Sequence, residues 1–424
     1  CLKKADRVSE LIDLLLLGPF GVEALSFVKP NEILDVLSGG GEEKGEGAVS
    51  DLLDKISQGA LAKPLETEAE LKRWACLGEL ALQSGIPHKA AVDCFEQCRK
   101  TIAGNKGSHD LYAVAVHKKA EAEFQIGAYA SAETSLREFL ELDCTPESTS
   151  NAWIRNEYDS TKGVSRESCL SLLGMALGEQ YEFSQAEQVL REAWECAEKE
   201  HGADHPASLT YKNNWLLAVS DLRESGSEVD DELASVDLAK EHQHIYQKRI
   251  QALGHDHLHT LVSQNNWALE LFRQDARAEA LNLMDDCLQK RTHALGRQHQ
   301  HVMDTQSNLA TFYELTGNIK KSISLRLDEK ALFHQMMPLP SKHIIQAMCV
   351  LVRSYLKCAM LREAIELATE LGCALDSMST TDAEMAKIIR SWWTKMLASV
   401  HQDKTFDNEE SLRIFDDISA IARK

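Results

Sequence analysis

The chain is 424 residues long, with 44% hydrophobic and 26% charged residues, 8 prolines and 22 glycines. That balance suits a soluble folded protein with ample apolar surface to bury, and it excludes long disordered or collagen-like tracts. Acidic residues outnumber basic ones 66 to 46, a formal charge of −20; with no basic patch in view, this argues against nucleic acid and for a basic or neutral peptide partner.

Residues 1–37 are expected to form an N-terminal helical segment, with apolar residues clustered at Leu11, Leu14, Leu15, Val22, Leu25, Ile33, Leu34 and Leu37. Its most apolar stretch, Leu11 to Val28, contains Asp13 and Glu23 and is broken at Gly18-Pro19. It reads as two short helices rather than a membrane span or a secretory signal, so no membrane partner is expected and the cytoplasm is the default location. Residue 1 is Cys, not Met, which suggests a fragment or processed product. Residues 38–60 hold a Gly/Glu-rich linker, Ser38 to Gly47, and a short helix.

From residue 66 to about 375 the helical period is nearly continuous, and no alternating pattern competes with it. Eleven cysteines is an odd number, and Cys76, Cys94, Cys98, Cys169 and Cys287 sit inside apolar helical patterns. They read as small buried hydrophobes in a reducing compartment. Cys94 and Cys98 share a helix face, but no second pair follows at zinc-finger spacing.

Self-similarity then organises the array. Gly202 to Ala218, Gly254 to Glu270 and Gly296 to Phe312 align without a gap, so that His205, His257 and His299 correspond, as do Asn214, Asn266 and Asn308. The offsets are 52 and 42 residues, and the extra ten fall where Leu222 to Leu233 lengthens a loop. Another 42 residues on, Leu309 meets Leu351, Tyr313 meets Tyr355 and Ile323 meets Ile365, a degraded fourth unit.

One whole unit shows His257 with Thr260 and Leu261, then Asn266-Trp267-Ala268, Glu279-Ala280, and Lys290-Arg291 before Leu295-Gly296. This pattern resembles the tetratricopeptide repeat (TPR) in its 42-residue kinesin-light-chain-like variety. Earlier stretches resemble the repeat more generally through Trp74, Leu77, Gly78 and Ala81, through Ala120, Gly127, Tyr129 and Ala132, and through Leu173, Gly174, Ala186 and Leu190. Lys119 stands where a core Leu is usual. The resemblance implies an all-α fold, an α-solenoid of about seven TPR-like hairpins forming a right-handed superhelix. Residues 376–424 then supply C-terminal capping helices, with one or both of Trp392 and Trp393 as cap-core residues and a binding hot spot as the alternative.

The alternating histidines His255, His257 and His259 are weak metal candidates, because the repeat already explains His257 as a residue of the joint between units and no carboxylate or cysteine completes a set. No G-x-S-x-G, P-loop or H-E-x-x-H pattern occurs. The chain is therefore read as a non-catalytic interaction scaffold with no cofactor. Paired acids such as Asp285-Asp286 and Asp416-Asp417 read as solvated helix faces.

By the resemblance, the first helix of each hairpin lines the concave groove. Asn214, Asn266 and Asn308 precede the expected buried residues Trp215, Trp267 and Leu309, which sets their amides on the groove wall to grip a peptide backbone. Neighbours expected on the same face are Asn213, Asn265, Ser307, Arg273, Glu314 and Arg353. The bland alternative is that the asparagines bridge adjacent helices.

Two further readings compete: an enzyme or enzyme subunit with a pocket near the histidine-rich loops, and a homo-oligomeric scaffold. Arrays resembling this one also form the sensing part of larger nucleotide-binding signalling proteins.

Overall fold

A computed structural model describes residues 74–75, 77–79, 81–82, 89–103, 109–141, 165–336, 342–381, 383–402 and 409–423. The N-terminal segment 1–37, the linker 38–60 and Cys76 lie outside the described residues, as does the side chain of Trp392. Every regular element among the described residues is a helix, and none of these helices is long and apolar enough to cross a membrane. The chain divides into two compact units, Cys1–Ser235 and Val236–Lys424. The division falls just after the ten-residue insertion that interrupts the repeat spacing.

The first unit carries α1 (Lys89–Ala103), α2 (His109–Gln125), α3 (Tyr129–Glu141), α4 (Arg166–Glu179), α5 (Phe183–His201), α6 (Pro206–Glu224) and the short α7 (Asp231–Ser235). From α1 to α6 each helix packs on the next, and α6 also touches α4. Leu136, Phe139, Leu173 and Leu177 fill the gaps between hairpins. Small residues set the approach: a Cβ on Gly78 would meet the Phe95 ring at 2.7 Å, and one on Gly174 would collide with Leu190. Lys119, at its expected core position, is reconciled by polar partners. Its Nζ lies 2.7 Å from Glu123 and donates to Ser135 Oγ at 3.0 Å, and Ser135 donates to the same buried carboxylate.

The second unit carries α8 (Leu238–Leu253), α9 (Leu258–Arg273), α10 (Arg277–Leu295), α11 (Gln300–Leu315), α12 (Ile319–Met336), α13 (Lys342–Lys357), α14 (Leu361–Thr381), α15 (Ala383–Gln402) and α16 (Glu409–Arg423). Neighbours again pack in sequence order, and α14 is covered by both α15 and α16. Trp393 is fully buried in the cluster these last helices form, with Leu371, Leu397 and Ile418. Cys94, Cys98, Cys169 and Cys287 are buried free thiols, and burial pushes Cys169 up to about 12 and Cys287 up to about 11, which keeps them protonated and inert.

Inside the hairpins one turn recurs. At Gly127, Tyr181, Asp275, Gly317 and Ala359 the backbone is left-handed, and the residue after each closes a hydrogen bond five residues back, for example Asn318 N to Tyr313 O at 2.7 Å. Each of the five also donates to the carbonyl three residues before it, so all five are Schellman caps. Only two of these positions are glycine. Ala359, exposed at φ 54, carries a left-handed penalty of about 1–2 kcal/mol that glycine lacks. After the entropy glycine loses on folding, Ala359→Gly is expected to stabilise the second unit by about 0.5–1 kcal/mol. Thermal melts in which Ala359→Gly unfolds at or below the wild-type temperature would refute this.

Candidate functional site

Within each compact unit, the joints between successive repeats are built by histidine. His205, His257 and His299 are the N-caps of α6, α9 and α11, and each Nδ1 accepts the backbone N–H two residues on, at 3.2, 3.2 and 3.1 Å. Gly202, Gly254 and Gly296 end the preceding helices at φ 90, 90 and 81, conformations that suit glycine. A neutral imidazole that accepts at Nδ1 carries its proton on Nε2, so neither nitrogen offers a free lone pair to a metal while the cap is made. His257 therefore serves as a joint, and the exposed His255 and His259 flank it.

Two buried arginines lock these joints. Arg249 Nη1 donates to His259 O at 2.9 Å and Ser263 Oγ at 2.8 Å; 42 residues on, Arg291 Nη1 donates to His301 O at 2.9 Å and Thr305 Oγ1 at 2.6 Å. Gln264 and Gln306 repeat in the same way, donating to Leu283 O at 3.1 Å and Leu325 O at 2.7 Å. Gln264 also donates to Asp286, which Lys290 pairs with as well, while among the described residues Asp285 accepts only from the exposed Gln289 on its own helix.

The asparagines mostly bridge helices. In the first unit Asn214 Nδ2 donates to Ser171 Oγ on α4 at 3.1 Å, and Asn213 is 3% exposed. In the second unit Asn308 Nδ2 donates to Asn265 Oδ1 at 3.4 Å, across 43 residues, and Asn265 Nδ2 donates to Asn266 Oδ1 at 3.2 Å. Asn265 and Asn266 are buried, while Asn308, Asn214 and Ser307 are half-buried. Trp215 and Leu309 are buried as expected, but Trp267 is only half-buried, lying against Tyr246. Trp215 reaches the core by stacking on Trp194 and donating Nε1 to Glu187 at 2.7 Å.

The charged candidates are paired. Arg273 is exposed and held by Glu270. Glu314, with a side chain only 2% exposed, accepts from Arg353 Nη2 at 2.8 Å and lies 3.5 Å from Lys357 Nζ. Arg326 and Glu329 of α12, which the sequence reading did not single out, extend this buried polar patch: Arg326 donates to Thr311, and burial raises Glu329 to about 7 despite the nearby Arg326 and a hydrogen bond with Ser307. A cleft of about 570 Å³ in the first unit is lined by Glu187, Arg191, Leu222, Glu228 and Asp230 among others. Neither the candidate asparagines nor the joint histidines line it.

The tetratricopeptide repeat family profile matches residues 167–207 and 260–301. These stretches run along the hairpins α4–α5 and α9–α10, each up to the histidine joint that follows. No curated protein sequence matches the chain. Among solved structures, the Rap protein complexed with competence and sporulation factor is 11% identical, with 84% of this chain and 96% of that one covered and a TM-score of 0.49. The quorum sensor NprR from B. thuringiensis is 12% identical, covering 94% and 99%, with a TM-score of 0.49. BtubC (BKLC) from P. vanneervenii is 15% identical, covering 64% and 95%, with a TM-score of 0.40. Residues 167–207 and 260–301 match the tetratricopeptide repeat, and the described residues around them form antiparallel helical hairpins, each helix packed on its sequence neighbour.

Proposed function

We propose that the chain is a non-catalytic scaffold whose second unit binds an extended peptide segment of a partner protein along Ser307, Asn308, Arg353 and Arg273. Asn265, Asn266 and Glu314 hold these side chains in place. The observation that carries the reading is Asn308. It is half-buried and its amide makes one hydrogen bond, to Asn265, which leaves an N–H and the carbonyl oxygen to pair with a peptide backbone. In the first unit Asn213 and Asn214 stand at the same repeat position and are assigned the same work within that unit. A protein or peptide partner with neutral or basic character suits the formal charge of −20.

The test is affinity purification from the native cell, coupled to mass spectrometry, with wild type against Asn308→Ala and Asn214→Ala. Both variants are first shown to fold by circular dichroism. Selective loss of one or a few partners from Asn308→Ala is the expected result. Recovery of an unchanged set with both variants would remove these asparagines from recognition.

A further inference from the structure

The first unit holds a second constellation of chemistry-bearing side chains, remote in sequence and brought together by one hairpin. Glu167 lies in the first turn of α4, and Glu200 and His201 lie at the end of α5. Because the two helices run antiparallel, these residues meet at the open end of the hairpin. His201 Nε2 is 3.8 Å from Glu167 Oε1 and 4.0 Å from Glu200 Oε1, and the three donor atoms all lie within 4.8 Å of one another. These separations are too long for hydrogen bonds.

Glu167 is the informative member. Its side chain is only 8% exposed, and among the described residues its carboxylate makes no hydrogen bond and its one ion-pair contact is with His201, beside the carboxylate of Glu200. A buried carboxylate ordinarily draws a hydrogen-bond donor or a cation. His201 is 14% exposed in its side chain and packs at a tilt against His205, with ring centroids 4.8 Å apart, which limits its rotation. His205 cannot itself be a ligand while its Nδ1 caps α6.

We infer that Glu167, Glu200 and His201 form a binding site for a divalent transition-metal ion of the zinc class. Zinc takes imidazole nitrogen and carboxylate oxygen at about 2.0–2.2 Å, so adjacent ligand atoms in a tetrahedral site stand about 3.4 Å apart. The observed 3.8 and 4.0 Å separations, and the Glu167–Glu200 separation within 4.8 Å, close to that spacing by side-chain rotations that move the ligand atoms about 1 Å. Two carboxylates and a neutral imidazole supply two negative charges to a doubly charged ion, and a water completes the shell. The ion clasps the start of α4 to the end of α5, closing the hairpin that the first repeat match covers. This site is independent of the peptide-binding reading.

The experiment uses the full chain without a histidine tag, stripped with EDTA, and titrated with zinc by calorimetry and with cobalt(II) by visible absorption. The comparison proteins are Glu167→Gln, His201→Gln and Glu200→Gln. Glu200 is 53% exposed in its side chain, so its variant keeps the test intact if either of the other two fails to fold. Wild type is expected to bind one equivalent more than the variants, or to bind it about tenfold or more tightly, with a tetrahedral cobalt spectrum and a zinc-dependent rise in melting temperature that Glu200→Gln lacks. Equal stoichiometry, affinity and spectra in wild type and Glu200→Gln, or no binding by wild type, would overturn the assignment.

Discussion

Arg291→Ala is expected to destabilise the second unit by about 3–4 kcal/mol, among the largest effects of any single side chain in it. The residue is 2% exposed, and its Nη1 serves both a backbone carbonyl and a threonine hydroxyl of the next repeat. Hydrogen bonds from a charged donor contribute about 1.5–3 kcal/mol each, and truncation leaves both acceptors buried beside a void. Arg291→Lys keeps the charge but has no planar fork, so about half the loss should remain. Arg277→Ala is the control, since its exposed pair with the exposed Asp275 is worth less than about 1 kcal/mol. Urea denaturation of the three variants would decide the matter: a loss at Arg291 no greater than at Arg277 would mean that the joint is held by the histidine caps alone.

The second large effect is an acid sensitivity centred on His242. This ring is fully buried, neither nitrogen has a partner, and burial, followed by the charges of Arg273 and Arg249, depresses it to about 3. In the unfolded chain the same group titrates near 6.5. Between those values the unfolded state binds a proton that the folded state refuses, so stability is complete above pH 6.5 and falls as pH drops toward 3. The loss reaches about 2 kcal/mol at pH 5.

Met284 occupies the same place one repeat later and is fully buried. His242→Met should therefore flatten the change in stability between pH 7 and pH 5 by that amount, and remove a buried orphan at neutral pH. Denaturant midpoints at the two pH values, compared between wild type and variant, test it; parallel pH dependence would show that the ring is protonated without cost. His117, which burial depresses to about 4 in the first unit, should leave its own acid sensitivity there unaffected.

The repeat spacing of His205, His257 and His299 was enough to read these residues as joints, because capping is a local act: the ring reaches an amide two residues away. The left-handed turns were less legible. Tyr181, Asp275 and Ala359 adopt them without the glycine that marks such a turn in a sequence. Arg291 was visible only as part of the repeat's Lys290-Arg291 pair and Arg249 was not singled out, since their burial depends on a carbonyl ten residues ahead in the following helix.

The asparagine ladder was legible as a repeat, but the bonds joining Asn308 to Asn265 and Asn214 to Ser171 cross 43 residues and appear only once the first helices are set side by side. Glu167 and His201 share no motif at all. Their meeting follows from the length of the hairpin between them, which a linear pattern does not display.

Within each unit, helices pack chiefly on their immediate sequence neighbours. For kinetics this means that native contacts close short loops, and short loops lose little entropy when they close. A hairpin can then bury its small-residue seam while later residues are still being synthesised, and growth proceeds by adding one helix at a time to a formed edge. The buried arginines each bond to the helix that follows, so a joint is complete only when that next helix is in place.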